Sequence, residues 1–173
     1  MRRQKTATRL NPEDTSRIDL CRLDATHAPF IFELVNSPGW LEFIGERNVK
    51  SREDADAYIR KIESNPTVDY WIIKLVTSGE PVGIVTLIQR DYLQSPDIGF
   101  ALLPAFEKQG YAFEAVSLFL KDFFSISTSK EIHAIILEHN FPSIQLVLKL
   151  GFLFSEHIEV NGEQLLLYSK KLT

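Results

Sequence analysis

The stretch Asp97–Ala115, DIGFALLPAFEKQGYAFEA, holds the residue types best suited to chemistry. It reads as a strand, a break at Pro104, a tight turn and a helix opening at Gly110. The first turn of a helix carries unpaired N–H groups and the positive end of the peptide dipole, and a glycine there lets an anion approach the backbone closely. Lys108, Gln109, Gly110, Tyr111 and Ala112 therefore form a candidate cradle for a diphosphate. An ordinary strand-to-helix turn using Gly110 for tightness is the competing reading. Thirty positions after Gly110, Asn140-Phe141-Pro142-Ser143 opens a second helix with Asn140 as N-cap and Ser143 in its first turn. That separation is what one strand–helix–strand unit requires. Asp97 begins the strand leading into the cradle and Glu138 ends the next strand, so either carboxylate can serve as a proton acceptor or as a solvated strand-end charge. His27, His133, His139 and His157 are scattered with no metal-type spacing, and no metal is expected. His133 alternates within a strand, whereas His139 precedes the cap and reads as a solvated loop residue or a proton carrier.

The elements that must position these residues follow from periodicity and punctuation. Residues 1–15 are polar, hold Asn11-Pro12 and read as a loose arm; residues 16–173 read as one domain. Strands are expected at 16–23, 68–76, 81–89, 97–103, 131–137, 152–160 and 164–170. Helices are expected at 26–36, 52–64, 110–124 and 140–150, with Ser37-Pro38-Gly39 ending the first and Trp40–Asn48 an aromatic-rich connection. Ser51-Arg52-Glu53-Asp54 has capping-box form, and Asn161-Gly162 tolerates the positive φ angles of a tight hairpin. A strand, crossover helix and strand over 97–137 implies a parallel pair inside an otherwise antiparallel sheet, with helices on both faces. The fold class is thus α/β, with a single mixed sheet.

Composition narrows the function. The 173 residues carry a net charge of −4, which argues against nucleic acid as the main partner and is compatible with a cationic acceptor such as an amine. One cysteine, Cys21, precludes an intrachain disulfide. The basic N-terminus is followed by no apolar run and no stretch has the length of a membrane helix, so a cytoplasmic location is expected.

The two motifs together resemble the general N-acetyltransferase (GNAT) superfamily, in the branch of ribosomal-protein N-terminal alanine and serine acetyltransferases. Glu107-Lys108-Gln109-Gly110-Tyr111-Ala112 is similar to its acetyl-CoA-binding motif, Gln/Arg-x-x-Gly-x-Gly/Ala. Glu107 departs from that pattern, and a carboxylate beside a diphosphate is unfavourable unless its side chain points away. Asn140-Phe141-Pro142-Ser143 with Leu148-Lys149-Leu150-Gly151-Phe152 is similar to the later Asn-x-x-Ser…Leu-x-Lys-x-Gly-Phe motif, and the likeness extends over about residues 14–171. The resemblance implies acetyl-CoA as donor, and direct attack by a primary amine (a protein N-terminus or a small amine) in a ternary complex. It implies that the donor inserts where the strands at 97–103 and 131–137 splay, with backbone N–H groups at Leu102 and Leu103 bonding it. Asn140 would bond the pantetheine arm, Ser143 would lie near the thioester as candidate acid, and Asp97 would be the candidate base. The usual Tyr of the later motif is replaced by Val147. Trp40 and Phe43 would line the acceptor pocket, with Tyr70, Trp71 and Tyr92 as further candidates. A non-catalytic acetyl-CoA-binding module is the alternative, and either a monomer or a homodimer is compatible with the sequence.

Overall fold

A computed structural model describes residues 16–172; the expected arm at 1–15 lies outside them. The apolar periodicity of the chain resolves into seven strands in one sheet: β1 (Ile18–Arg22), β2 (Val68–Leu75), β3 (Pro81–Ile88), β4 (Asp97–Leu102), β5 (Glu131–Leu137), β6 (Leu153–Val160) and β7 (Glu163–Lys171). Their spatial order is β1-β2-β3-β4-β5-β7-β6, antiparallel throughout except for the parallel pair β4–β5. The expected mixed sheet is therefore present, with the parallel pair in the expected place.

Helices cover both faces because alternate strand residues on each side are apolar. On one face α4 (Tyr111–Ile126) and α5 (Phe141–Lys149) bury Val116, Phe119, Leu120 and Val147 against Ile73, Ile98, Ile132 and Ala134. On the other, α1 (Ala28–Val35) and α3 (Arg52–Ser64) bury Leu34, Ala55 and Ile59 against Ile72 and Ile84. The Asn161-Gly162 turn joins β6 to β7 with φ of 53° and 82°, as that dipeptide requires. Gly151 closes α5 with φ of 84°.

One expected boundary is wrong. Ser37-Pro38-Gly39 does not open a loop; Pro38 stands at the first position of a further short helix, α2 (Pro38–Phe43). Proline is well suited there, because the N–H it lacks has no helical partner at that position. The connection after α2 turns twice through left-handed backbone, at Gly45 (φ 99°) and Asn48 (φ 55°).

Candidate active site

The sheet is incomplete at its centre. β5 and β7 keep register over seven Cα pairs, but β4 and β5 share one, Asp97↔His133, where the His133 N–H bonds the Pro96 carbonyl at 2.9 Å. Past that pair the strands part, leaving a wedge closed at Asp97 and His133 and open toward Leu102 and Leu137. Backbone direction alternates along a strand, so the residues facing the wedge can be read from those facing β3. Leu103 donates its N–H to the Val82 carbonyl at 2.9 Å. The N–H groups of Leu102 and Phe100 therefore face the wedge, whereas that of Leu103, expected to serve a ligand, is occupied by β3. The Leu103 side chain is buried with the α1–α3 cluster.

At the open end of the wedge, α4 begins on Gly110 at φ 87° with no side-chain cap. Its first N–H groups are thus left for an outside acceptor. Lys108 (φ 58°) and Gln109 are exposed, and Gln109 Nε2 donates to the Ala105 carbonyl at 2.8 Å. Tyr111 and Ala112 are half-buried in the first turn. Arg17, ahead of β1, braces this turn from outside the motif. Its Nε lies 2.9 Å from Glu114 Oε2, a terminal nitrogen donates to the Gln109 carbonyl at 3.1 Å, and its guanidinium stacks 4.5 Å from the Tyr111 ring centroid. Burial alone would raise the Glu114 carboxyl, but the Arg17 N–H, its guanidinium and the Ser16 hydroxyl outweigh it and hold the group below its ordinary value. Lys149 brings another cation, its ammonium 4.5 Å from the centroid of Phe113 in the same turn. The Glu107 side chain is turned toward α2: its Oε1 comes within 3.6 Å of where a Cβ on Gly39 would stand.

Asn140 caps α5, its Oδ1 accepting the Ser143 N–H at 3.3 Å. This follows the β5 strand directly, so cap and wedge are built by one turn of chain. Phe43 at the end of α2 packs its ring 5.7 Å from that of His139, which brings α2 against the same turn. Trp40 does not line an open pocket as expected: it is 3% exposed, buried among the α1–α3 residues, and its indole N–H donates to the Gly45 carbonyl. An indole with its one donor satisfied packs as an anchor for the connection beyond α2.

At the closed end, Asp97 and His133 lie on the sheet face opposite Ile98 and Ile132, which point to α4. Asp97 is 5% exposed and accepts Arg90 Nε at 2.8 Å. Burial pushes its carboxyl above the ordinary value against the opposing pull of Arg90. On the same face Tyr70 is buried with its hydroxyl 3.1 Å from that of Tyr58. A surface hollow of about 500 Å³ lies elsewhere, between Phe124 of α4 and Lys170 of β7. The wedge is a slot between strands rather than a rounded cavity, so chemistry and not volume marks the site.

A family model described as an acetyltransferase (GNAT) domain matches residues 17–153. The chain belongs to the GNAT acetyltransferase family. No curated protein matches this acetyltransferase by sequence. Among solved structures it is similar to the ribosomal-protein α-N-acetyltransferase RimL in complex with coenzyme A, with 16% identity, TM-score 0.78, and 93% of this chain and 97% of that one covered. It is also similar to the spermidine N-acetyltransferase of Vibrio cholerae in complex with CoA and spermine (18% identity, TM-score 0.76, 90% and 95% covered). A GNAT-family acetyltransferase from Bacillus anthracis matches with 19% identity and TM-score 0.77, covering 91% and 96%. These likenesses establish the fold of the acetyltransferase. Neither Arg17 nor Lys149 belongs to the run of sequence around Gly110; Lys149 is visible only as part of the later motif, and Arg17 only as a basic residue before a strand. Among the described residues no cluster of His, Cys, Asp and Glu could hold a metal, and no helix is long and apolar enough to cross a membrane.

Proposed function

We propose that this acetyltransferase moves the acetyl group of acetyl-CoA to a primary amine by direct attack in a ternary complex. The observation that carries the reading is the wedge between β4 and β5 opening onto the uncapped N-terminus of α4. A pantetheine arm is a chain with two amides, and the free N–H groups of Leu102 and Phe100 offer it the rungs that β5 does not fill. The α4 N-terminus, with Lys108, Gln109, Gly110, Tyr111 and Ala112, takes the diphosphate at the open end. Asn140 and Ser143 flank the arm from the start of α5. The acetyl end then points to the closed tip, where Asp97 is the proton acceptor for the amine. Its raised affinity for a proton suits that task, and Arg90 orients the carboxylate. Phe43, on the α2 side of the β5–α5 turn, contributes to the acceptor's entrance.

Both the ribosomal-protein and the spermidine enzymes named above work on amines, so a peptide beginning with Ala or Ser and spermidine make a suitable acceptor panel. Acetyl-CoA titrated by calorimetry should bind the wild type and fail to bind Gly110→Glu, which puts bulk and negative charge into a position with φ of 87°. Thiol release across the panel then separates a transferase from a protein that only holds the donor. Absence of binding at millimolar acetyl-CoA would overturn the proposal.

A further inference from the structure

The mechanism above leaves the departing sulfur without a proton donor. Val147, at the position of the family motif's tyrosine, is fully buried in the α4–α5 core. Ser143, in the first turn of α5, sits beyond β5 toward the open end of the wedge, away from the closed tip.

At the closed tip stands His133, which in sequence is one alternating residue of a strand with no chemical role marked. His133 is 7% exposed and forms the last registered pair with Asp97. Its Nδ1 lies 2.8 Å from the Ser169 hydroxyl on β7, and the Ser155 hydroxyl on β6 donates to Ser169 at 2.7 Å. Ser155 reaches that position because β6 is bulged there: Phe154 pairs with Tyr168 and Glu156 with Leu167, so Ser155 is the extra residue. Bulges commonly re-aim a side chain in this way. Ser155 is exposed and Ser169 half-buried, so the two hydroxyls link the imidazole to solvent. In the tautomer with Nδ1 as acceptor, the Ser169 hydroxyl donates to it while accepting from Ser155. The neutral ring then carries its own proton on Nε2. Among the described residues nothing bonds Nε2, and no buried side-chain nitrogen or oxygen lacks a partner, so Nε2 opens to solvent. In that tautomer Nε2–H is a donor at the tip, with the Ser169 and Ser155 hydroxyls in line behind the ring.

We propose that His133 is the proton donor to the departing CoA sulfur, replenished from solvent through Ser155 and Ser169. The inference rests on the transferase reading above. The amine nitrogen forms its bond to the carbonyl carbon, and the carbon–sulfur bond breaks with its electron pair going to sulfur. Sulfur takes the Nε2 proton, Ser169 gives its proton to Nδ1, Ser155 gives one to Ser169, and water gives one to Ser155. The proton lost by the attacking nitrogen passes to Asp97 and on to solvent. The charged groups around the ring are Asp97, with Arg90 behind it, and Glu131 and Lys171, a registered pair two residues along on β5 and β7.

The test is steady-state thiol release with the acceptor panel, for wild type, His133→Ala, His133→Gln and Ser169→Ala. His133→Gln and His133→Ala are expected to lower kcat about a hundredfold while the acetyl-CoA Kd from calorimetry stays within about twofold. Added imidazole should restore turnover to His133→Ala, an effect that a purely structural histidine would not give. Ser169→Ala should lose less, because water can enter to reach Nδ1. His133→Gln at the wild-type kcat, or a slowed His133→Ala indifferent to imidazole, would overturn the relay while leaving the transferase reading intact. If His133→Ala fails to fold, the isosteric Gln variant decides. A wild type that binds acetyl-CoA but turns over no amine would remove the transferase reading and the relay with it.

Discussion

At the scale of single residues, the turn at Gly110 and the cap at Asn140 were legible in the sequence and the Arg17 brace was not. Gly110, Asn140 and Ser143 announce themselves by type and spacing, because a turn and a cap need particular residues at fixed offsets. Arg17 does not: its partner Glu114 is 97 positions away, and an arginine before a strand looks like any solvated charge. The Arg17–Glu114 pair is partly exposed (side chains 51% and 24%), so it contributes little stability and acts mainly by fixing the cradle. Arg17→Gln should therefore weaken acetyl-CoA binding by about three- to tenfold in calorimetry with less than about 1 kcal/mol change in stability. The sign of the pH effect follows from Glu114. Its carboxyl is held below the ordinary 4.5 in the folded protein, so its contribution is fully present above 4.5 and is lost as pH falls through the folded value. Thermal melts of wild type and Glu114→Gln should differ at neutral pH and converge in acid. The sequence shows His133 only as an alternating strand residue for a related reason. Its partners arrive from β7 and β6, and only the register and the Ser155 bulge place the three on one face.

Among the elements, strand and helix identities could be read wherever a long periodic run ended in a clear stop, as in α3, α4 and β5. The failure was α2, a six-residue helix too short to show a period. Its opening Pro-Gly was read as a stop, although proline also begins helices. The parting of β4 from β5 was expected from the family resemblance alone, since both strands are mostly apolar and nothing in their residues marks where pairing ceases. Caps were more informative. Ser51 accepts the Asp54 N–H at 3.1 Å, as expected, but the Asp54 carboxylate bonds the Lys50 N–H at 2.9 Å, one residue before the reciprocal partner of a capping box. Ser51→Ala should cost about 1 kcal/mol, read as a lower urea midpoint with unchanged slope.

For the whole molecule, the sheet separates two apolar clusters, with Phe106 beyond β4 packed against both. The chain's two tryptophans report on them separately: Trp40 lies in the α1–α3 cluster, and Trp71 packs edge-on to Phe119 of α4 with centroids 4.7 Å apart. Adjacent residues of β2, Ile72 and Ile73, are both fully buried and serve opposite clusters. The two faces should consequently unfold as one. Urea curves of Trp40→Phe and Trp71→Phe, each normalised to its own stability, should show the same two-state shape and coincide with circular dichroism. Ile59→Ala should destabilise both by about 2–5 kcal/mol. Separate transitions would mean that the sheet does not couple its faces. The wedge between β4 and β5 gives this coupling a further meaning. A donor lying along β4 would act as an additional strand, so the molecule's secondary structure would be finished by its own substrate. Tenacity of the fold and occupancy of the site would then be one equilibrium, with a ligand at a hundred times its Kd adding about 2.7 kcal/mol to the native state. The protein's resistance to unfolding, and hence to proteolysis, would rise and fall with the donor's concentration around it.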